Sequence, residues 1–366
     1  MSGSRKPRRD KGLAPRIVAC KDDRAEGEVF CGGKPLRCEG TGLTSSCIKL
    51  SAEFVVSHVH QLEDKHANSI AFIYRTNAQS RALEEACVAH NLPYAVFGST
   101  TSFYKRQEIK DCLSYLRLFR NGRDRESLLR TLKTPSKGIG EAAVRSFDLH
   151  CESIEIFFRE FLPEETRPTP LEVLIAFANP GSRIHVEGAP DPADVLSKRQ
   201  RNALAAFGEQ LSGIYDALSR ESVQQILSRI ISEMDLMPHF DKISKSAAEF
   251  SERKSNVNEL RKAAARYDHN GPALLLENNG GRTQDGLNES ALCSFLDDVA
   301  LVTEMSEKVE QDHASRFVVN LMTIHASKGM EFDTVCVVGN EDGTFPSSQV
   351  CYISFDNLPA CSLIVL

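Results

Sequence analysis

The chain has 366 residues, 41% of them apolar, and a formal net charge of −6. That length allows two domains with cores of their own, and no run is long and apolar enough to span a membrane. The mild negative balance gives no basic field over the whole molecule, so contact with nucleic acid has to come from local Lys and Arg clusters.

The first sixteen residues hold Arg5, Lys6, Arg8, Arg9, Lys11 and Arg16 against Asp10 alone. Such a run is either a solvated, disordered tail or a nuclear-import or nucleic-acid-binding one. Residues 17–122 predict the first part of an α/β domain. Ile17–Cys20 is strand-like and Ala52–Leu62 is helical, but residues 31–51 between them carry Gly, Cys and Pro without periodicity and predict an irregular insert. The eleven cysteines contain no CxxC pair, and Cys31, Cys38 and Cys47 lack the paired spacing of structural zinc sites, so no metal is expected. No apolar leader precedes residue 17, which predicts a reducing compartment.

From Ser69 the pattern sharpens. Ile70–Tyr74 predicts a buried strand, Asn77 a helix cap, and Ala78, Leu83, Ala86 and Cys87 the small or apolar face of the helix that follows. Pro93 stops the helix and Tyr94–Phe97 predicts a second strand. Strand, helix and strand at this spacing imply a parallel sheet. Phe103–Phe119 is an amphipathic helix with Ile109, Cys112, Leu113, Leu116 and Leu118 on its apolar side.

Residues 123–310 are almost wholly helical in pattern, with helices expected at Arg125–Leu132, Glu141–Cys151, Leu171–Ala178, Lys198–Leu218, Val223–Met234, Glu249–Tyr267 and Ser290–Val302. Strand patterns return in residues 311–346, at Phe317–Met322 and Thr334–Val338, and residues 347–366 form a divergent tail ending in Leu363, Ile364, Val365 and Leu366. Two β-rich islands would each expose sheet edges alone, so the economical solution is one sheet built from both. The fold class expected is α/β, a discontinuous parallel sheet carrying an inserted all-α domain.

Three strings carry chemistry. Thr323, His325, Ser327, Lys328, Gly329 and Glu331 stand between two apolar strands, where α/β folds bind ligands; Gly329 lets the backbone approach a phosphate, and His325 and Lys328 offer donors to a phosphodiester. The plainer alternative is a capped turn with a satisfied histidine. Tyr74-Arg75-Thr76-Asn77 places a ring, a guanidinium and polar side chains at a strand end, a corner suited to an anion; equally, Asn77 only caps the helix and Arg75 makes a surface ion pair. Lys137, Gly138 and Gly140, in Thr134-Pro135-Ser136-Lys137-Gly138-Ile139-Gly140, form a Gly-rich turn opening a helix, either facing a phosphate or serving as ordinary punctuation.

In order, IAFIYRTNAQSRALEE, PYAVFGSTTSFYKRQEIKDCLSYLRL, TPSKGIG and LMTIHASKGMEFDTVCVVGNEDGTFP closely resemble the second half of the UvrD/PcrA/Rep group of superfamily-1 DNA helicases over residues 69–346. The resemblance implies a RecA-like domain with a helical insertion, belonging to a motor that uses ATP and Mg2+, moves 3′ to 5′ on single-stranded DNA and opens forked duplexes in repair or recombination. It places Tyr74 against the nucleotide base, Arg75 at the γ-phosphate as the catalytic arginine, and Gly329 and Glu331 beside the nucleotide, Glu331 touching the ribose. It gives Thr323, His325 and Lys328 to the DNA backbone or its coupling to ATP, and Lys137, Gly138 and Gly140 to the duplex.

The sequence also departs from that pattern. It contains no GxxxxGK[ST] phosphate loop and no acidic DExx-type string after an apolar strand, and residues 347–366 lack the arginine motif the family carries next. The expectation is a helicase part that needs a first RecA-like domain as partner and hydrolyses no ATP alone. The alternative is a truncated product that binds DNA or a helicase without catalysis. The basic N-terminus favours the nucleus.

Overall fold

The computed structural model describes the backbone of residues 16–19, 27–31, 34–38, 70–97, 102–179, 181–182, 184, 186–270, 287–311, 318–332, 334–341 and 361–365. The chain divides into two compact units, residues 1–104 with 301–366, and residues 105–300.

The first unit is built on a six-stranded sheet. Its strands are β1 (Arg16–Ala19), β4 (Ile70–Tyr74), β5 (Tyr94–Phe97), β6 (Val319–Thr323), β7 (Thr334–Glu341) and β8 (Cys361–Val365), in the order β1-β8-β7-β4-β6-β5. β2 (Gly27–Cys31) and β3 (Lys34–Cys38) form a separate antiparallel pair, so a strand stands inside the stretch expected to be irregular. β7, β4, β6 and β5 are mutually parallel, with Ile70 level with both Val319 and Thr334, and Tyr94 level with Val319. The expected parallel sheet from two separated islands is therefore present, and the strand at 361–365 adds to it antiparallel to β7.

β4 is buried along its whole length, as a central strand covered on both faces must be. On one face Ala71, Ile73 and Met322 form a core on which Ile324, Ala326, Phe332, Val335 and Val337 pack. α1 (Ser80–Ala89) follows β4 through a single 3-10 turn at Asn77–Gln79. It is buried even at its charged positions: Arg81 pairs with Glu85 at 2.7 Å, Tyr104 donates its hydroxyl to Glu85, and Glu84 accepts from Ser102 and the Phe103 N–H. A carboxylate so deep holds only when paired and hydrogen-bonded, and these are.

The second unit contains α2 (Gln107–Arg120), α3 (Arg125–Lys133), α4 (Glu141–Arg159), α5 (Pro170–Ala176), α6 (Lys198–Tyr215), α7 (Val223–Glu233), α8 (Leu236–Ile243), α9 (Ala247–Asn270) and the start of α10 (Leu287–Gln311). Every helix expected in this block is found, two of them running eight and nine residues further than expected, to Arg159 and Gln311, and α8 is additional. Capping boxes open three of them: Thr169 with Glu172, Ser197 with Gln200, and Ser222 with Gln225. α2 and α9 are joined by buried polar contacts, in which Glu108 accepts from Arg253 at 3.1 Å and Asn256 at 2.7 Å, and Asn256 accepts from Arg106. α5 and α6 meet backbone to backbone at Gly208, where a Cβ would lie 2.4 Å from the Leu174 carbonyl oxygen.

Two candidate sites, a sheet edge and a turn

The parallel register brings the carboxyl ends of β4 and β6 side by side, Tyr74 opposite Thr323. The Ile324 N–H donates to the Tyr74 carbonyl at 2.9 Å, extending the pairing one residue beyond the strand. The next residues on each strand, Arg75 and His325, then meet: Arg75 Nη1 lies 3.2 Å from His325 Nδ1. Arginine has no acceptor, so this contact is a hydrogen bond only with Nδ1 as the acceptor.

The corner after β4 is differently built from the expectation. Thr76, not Asn77, takes the cap position, and Gln79 closes a capping box. Gln79 Oε1 accepts from the Arg75 N–H at 3.0 Å and the Thr76 N–H at 2.9 Å. Those amides are occupied, so what this corner offers an anion is the half-buried Arg75 guanidinium. The Tyr74 side chain is 1% exposed, so its ring presents no open face for a nucleotide base in this conformation.

The loop after β6 tightens into turns. The Thr323 hydroxyl accepts from the Ala326 N–H at 3.3 Å, its carbonyl accepts from Ser327, and Ser327 donates its hydroxyl to the Ile324 carbonyl. Gly329 has φ +87°, where glycine alone is unstrained, and no atom lies within 4 Å of where its Cβ would be. His325, Lys328, Gly329, Met330 and Glu331 are all exposed, while Ile324, Ala326 and Phe332 anchor the loop to the sheet. The edge thus presents a guanidinium, an imidazole, an ammonium and a carboxylate on a rigid base. A phosphate fits the Arg75 donors. A magnesium ion finds no ligand set here: among the described residues no group of three or more His, Cys, Asp or Glu could hold a metal.

In the second unit, the 134–140 segment lies between α3 and α4. Gly138, at φ +76°, and Gly140, the cap of α4, are exposed, with open space where each Cβ would stand, while Ile139 is buried. Their backbone therefore lies open to a ligand. Lys137 behaves otherwise. Its ammonium turns inward, donating to the Tyr115 hydroxyl at 3.0 Å and lying 4.4 Å from the centroid of the Phe207 ring; Tyr115 in turn donates to the Thr134 carbonyl at 2.9 Å. Burial pulls this ammonium down to about 8, with Asp235 partly opposing. Lys137 thus does not reach outward to a phosphodiester as its place in the motif suggests. Gln79 was legible as a capping partner from its spacing after Thr76, whereas nothing in the sequence singles out Phe207.

Residues 44–352 match the family model described as the UvrD-like helicase C-terminal domain. The chain belongs to this family. ATP-dependent DNA helicase UvrD1 of Mycobacterium tuberculosis is 32% identical over 303 residues, and ATP-dependent DNA helicase PcrA of Staphylococcus epidermidis is 29% identical over 297 residues. In each case the match takes in 81% of this chain and 34% of the relative, so the chain spans about a third of the length of the curated relatives it matches. The α/β sheet with its helical block is the UvrD-like C-terminal architecture. Among the described residues no helix is long and apolar enough to cross a membrane. Residues 1–15 of the N-terminal basic run and Cys47 lie outside the described residues, as do the side chains of Arg16, Cys31 and Cys38.

Proposed function

We propose that the chain forms part of an ATP-dependent DNA helicase that moves 3′ to 5′ on single-stranded DNA, with the β4–β6 edge turned to the nucleotide and the 136–140 turn to the duplex. The observation that carries this reading is the 3.2 Å contact of Arg75 with His325, residues 250 positions apart that the parallel register places at one strand-end corner. Bound ATP would supply the γ-phosphoryl group and the free energy of its hydrolysis, and Mg2+ would neutralise charge on the phosphate oxygens. Arg75 donates to that group's oxygens and stabilises the charge that develops on them. His325, holding the inner face of the guanidinium, ties Arg75 to the loop bearing Thr323, Lys328 and Glu331. A shift of Arg75 on phosphate release therefore moves the loop that meets the DNA backbone, with Gly329 and Glu331 toward the nucleotide and Thr323, His325 and Lys328 toward DNA.

Tyr74 meets the base in this reading only after its surroundings open. The phosphate loop and metal-binding acid are absent from the 366-residue sequence and are assigned to a first RecA-like domain acting as partner. The purified chain then hydrolyses no ATP, and fusion to a phosphate-loop-bearing RecA-like domain of the same family restores DNA-stimulated hydrolysis. Turnover by the unfused chain, or a fusion indifferent to DNA, overturns the reading. Salt-dependent binding of forked DNA without restored hydrolysis would favour the non-catalytic alternative. Nuclear placement, resting on the basic residues before position 17, is part of the proposal.

A further inference from the structure

Lys137 is the one lysine of the turn and it faces away from solvent-side ligands, into a cavity of about 290 Å3 walled by Pro135, Ser136, Ala206, Phe207, Gln210 and Met234. Three elements converge on its ammonium. α2 brings the Tyr115 hydroxyl, which also holds the Thr134 carbonyl; α6 brings the Phe207 face; the α7–α8 junction brings Asp235, whose charge favours the ammonium. His239, on α8, is held below the ordinary imidazole value chiefly by burial, with Lys137, Lys242 and Arg253 adding to this and Asp111 opposing. Gly138 follows immediately at φ +76° with open space where a Cβ would stand, between Lys137 and the buried Ile139.

We propose that Lys137 is a positioning residue: its ammonium, held by the Phe207 ring and the Tyr115 hydroxyl, fixes the Ser136–Gly140 turn in the conformation whose backbone meets duplex phosphates. The proposal rests on the reading of that turn as the duplex-facing element. Lys137 acts through the turn's geometry and not on the phosphates, because its nitrogen is engaged by the Tyr115 hydroxyl and lies over the Phe207 ring. Its value in this inward position, about 8, lies below that of a solvated lysine, so raising pH through 8 favours the inward position and tightens the turn while ordinary surface lysines remain charged.

The test uses the full chain, a fluorescein-labelled forked duplex and the matching single strand, at constant salt between pH 6.5 and 9.5. K137M is expected to weaken duplex binding about fivefold, leave single-strand binding unchanged, and raise amide hydrogen exchange across Ser136–Gly140. K137R, whose guanidinium stays charged and stacks on rings, is expected to keep duplex binding at pH 7 and to lack the strengthening of duplex binding that the native chain shows as pH rises past 8. Native-like binding and exchange in K137M, or identical pH profiles for the native chain and K137R, overturns the proposal. If exchange in the turn rises in K137M but the native chain shows no preference for duplex over single strand, the fastening stands and the duplex reading falls.

Discussion

The sheet edge and the turn both carry a cation beside a polar backbone, and they assign the two in opposite ways. At the β4 corner Gln79 consumes the Arg75 and Thr76 amides, leaving the guanidinium to meet a ligand. In the 136–140 turn Tyr115 and Phe207 consume the Lys137 ammonium, leaving the backbone around Gly138 and Gly140 open. A basic residue in a phosphate-binding string is thus no guide to which atoms face the phosphate. The local capping and packing decide that.

The contrast can be broken or sharpened by four measurements. The largest effect is expected at Arg75: in a complete motor R75A should lower ATP turnover by about three orders of magnitude, and R75K should recover little, because a point charge does not replace a planar fork. Retained turnover in steady-state assays would mean that the edge does not act through this side chain. G138V forces a β-branched residue to φ +76° in a place without steric neighbours, so its cost is conformational, about 1–2 kcal/mol. Duplex affinity should fall about tenfold by fluorescence anisotropy, with single-strand affinity unchanged, if backbone geometry is what the turn offers.

Q79A should destabilise the first unit by about 1 kcal/mol in urea unfolding, since it strips two amides of their acceptor. A substantially weakened KM for ATP in the complete motor would show that Gln79 supports nucleotide binding as well as the corner. The smallest effect concerns Lys137 and global stability. Its value in the fold, about 8, lies below the ordinary 10.5, so between those limits the unfolded chain holds a proton the folded chain has released. Its contribution to stability therefore rises with pH across that window. K137M should abolish this slope and melt no lower than the native chain at pH 7, although its turn is loosened.

Much of the fold was legible because its signals are local. β4, β5, β6 and β7 announce themselves as short β-branched or aromatic runs between polar segments, and the parallel sheet follows from their need for covered edges. α8, not anticipated from the sequence, carries Pro238 in its first turn, where an N–H has no helical partner to lose. Asn77 was misread as the cap because both it and Thr76 are capping types; the Gln79 spacing that decides between them is the capping-box signature. The meeting of Arg75 with His325 was open only through the sheet register, and the inward turn of Lys137 was not open at all. It depends on Phe207, seventy positions away on α6, and residue spacing carries no record of such a contact.

One feature of the sheet sets a schedule. Both partners of β4 come from beyond residue 318, so a strand finished at Tyr74 has no neighbour in its own part of the chain. At about 5–20 residues per second of synthesis, the 245 positions from Tyr74 to Val319 amount to roughly 10–50 s. For that interval the Ile70–Tyr74 backbone has every hydrogen-bonding group unclaimed, while the helices of the second unit already have all their partners on the nascent chain. The ribosome thus delivers both partners of β4 only after the helices of the second unit, although β4 itself was made early.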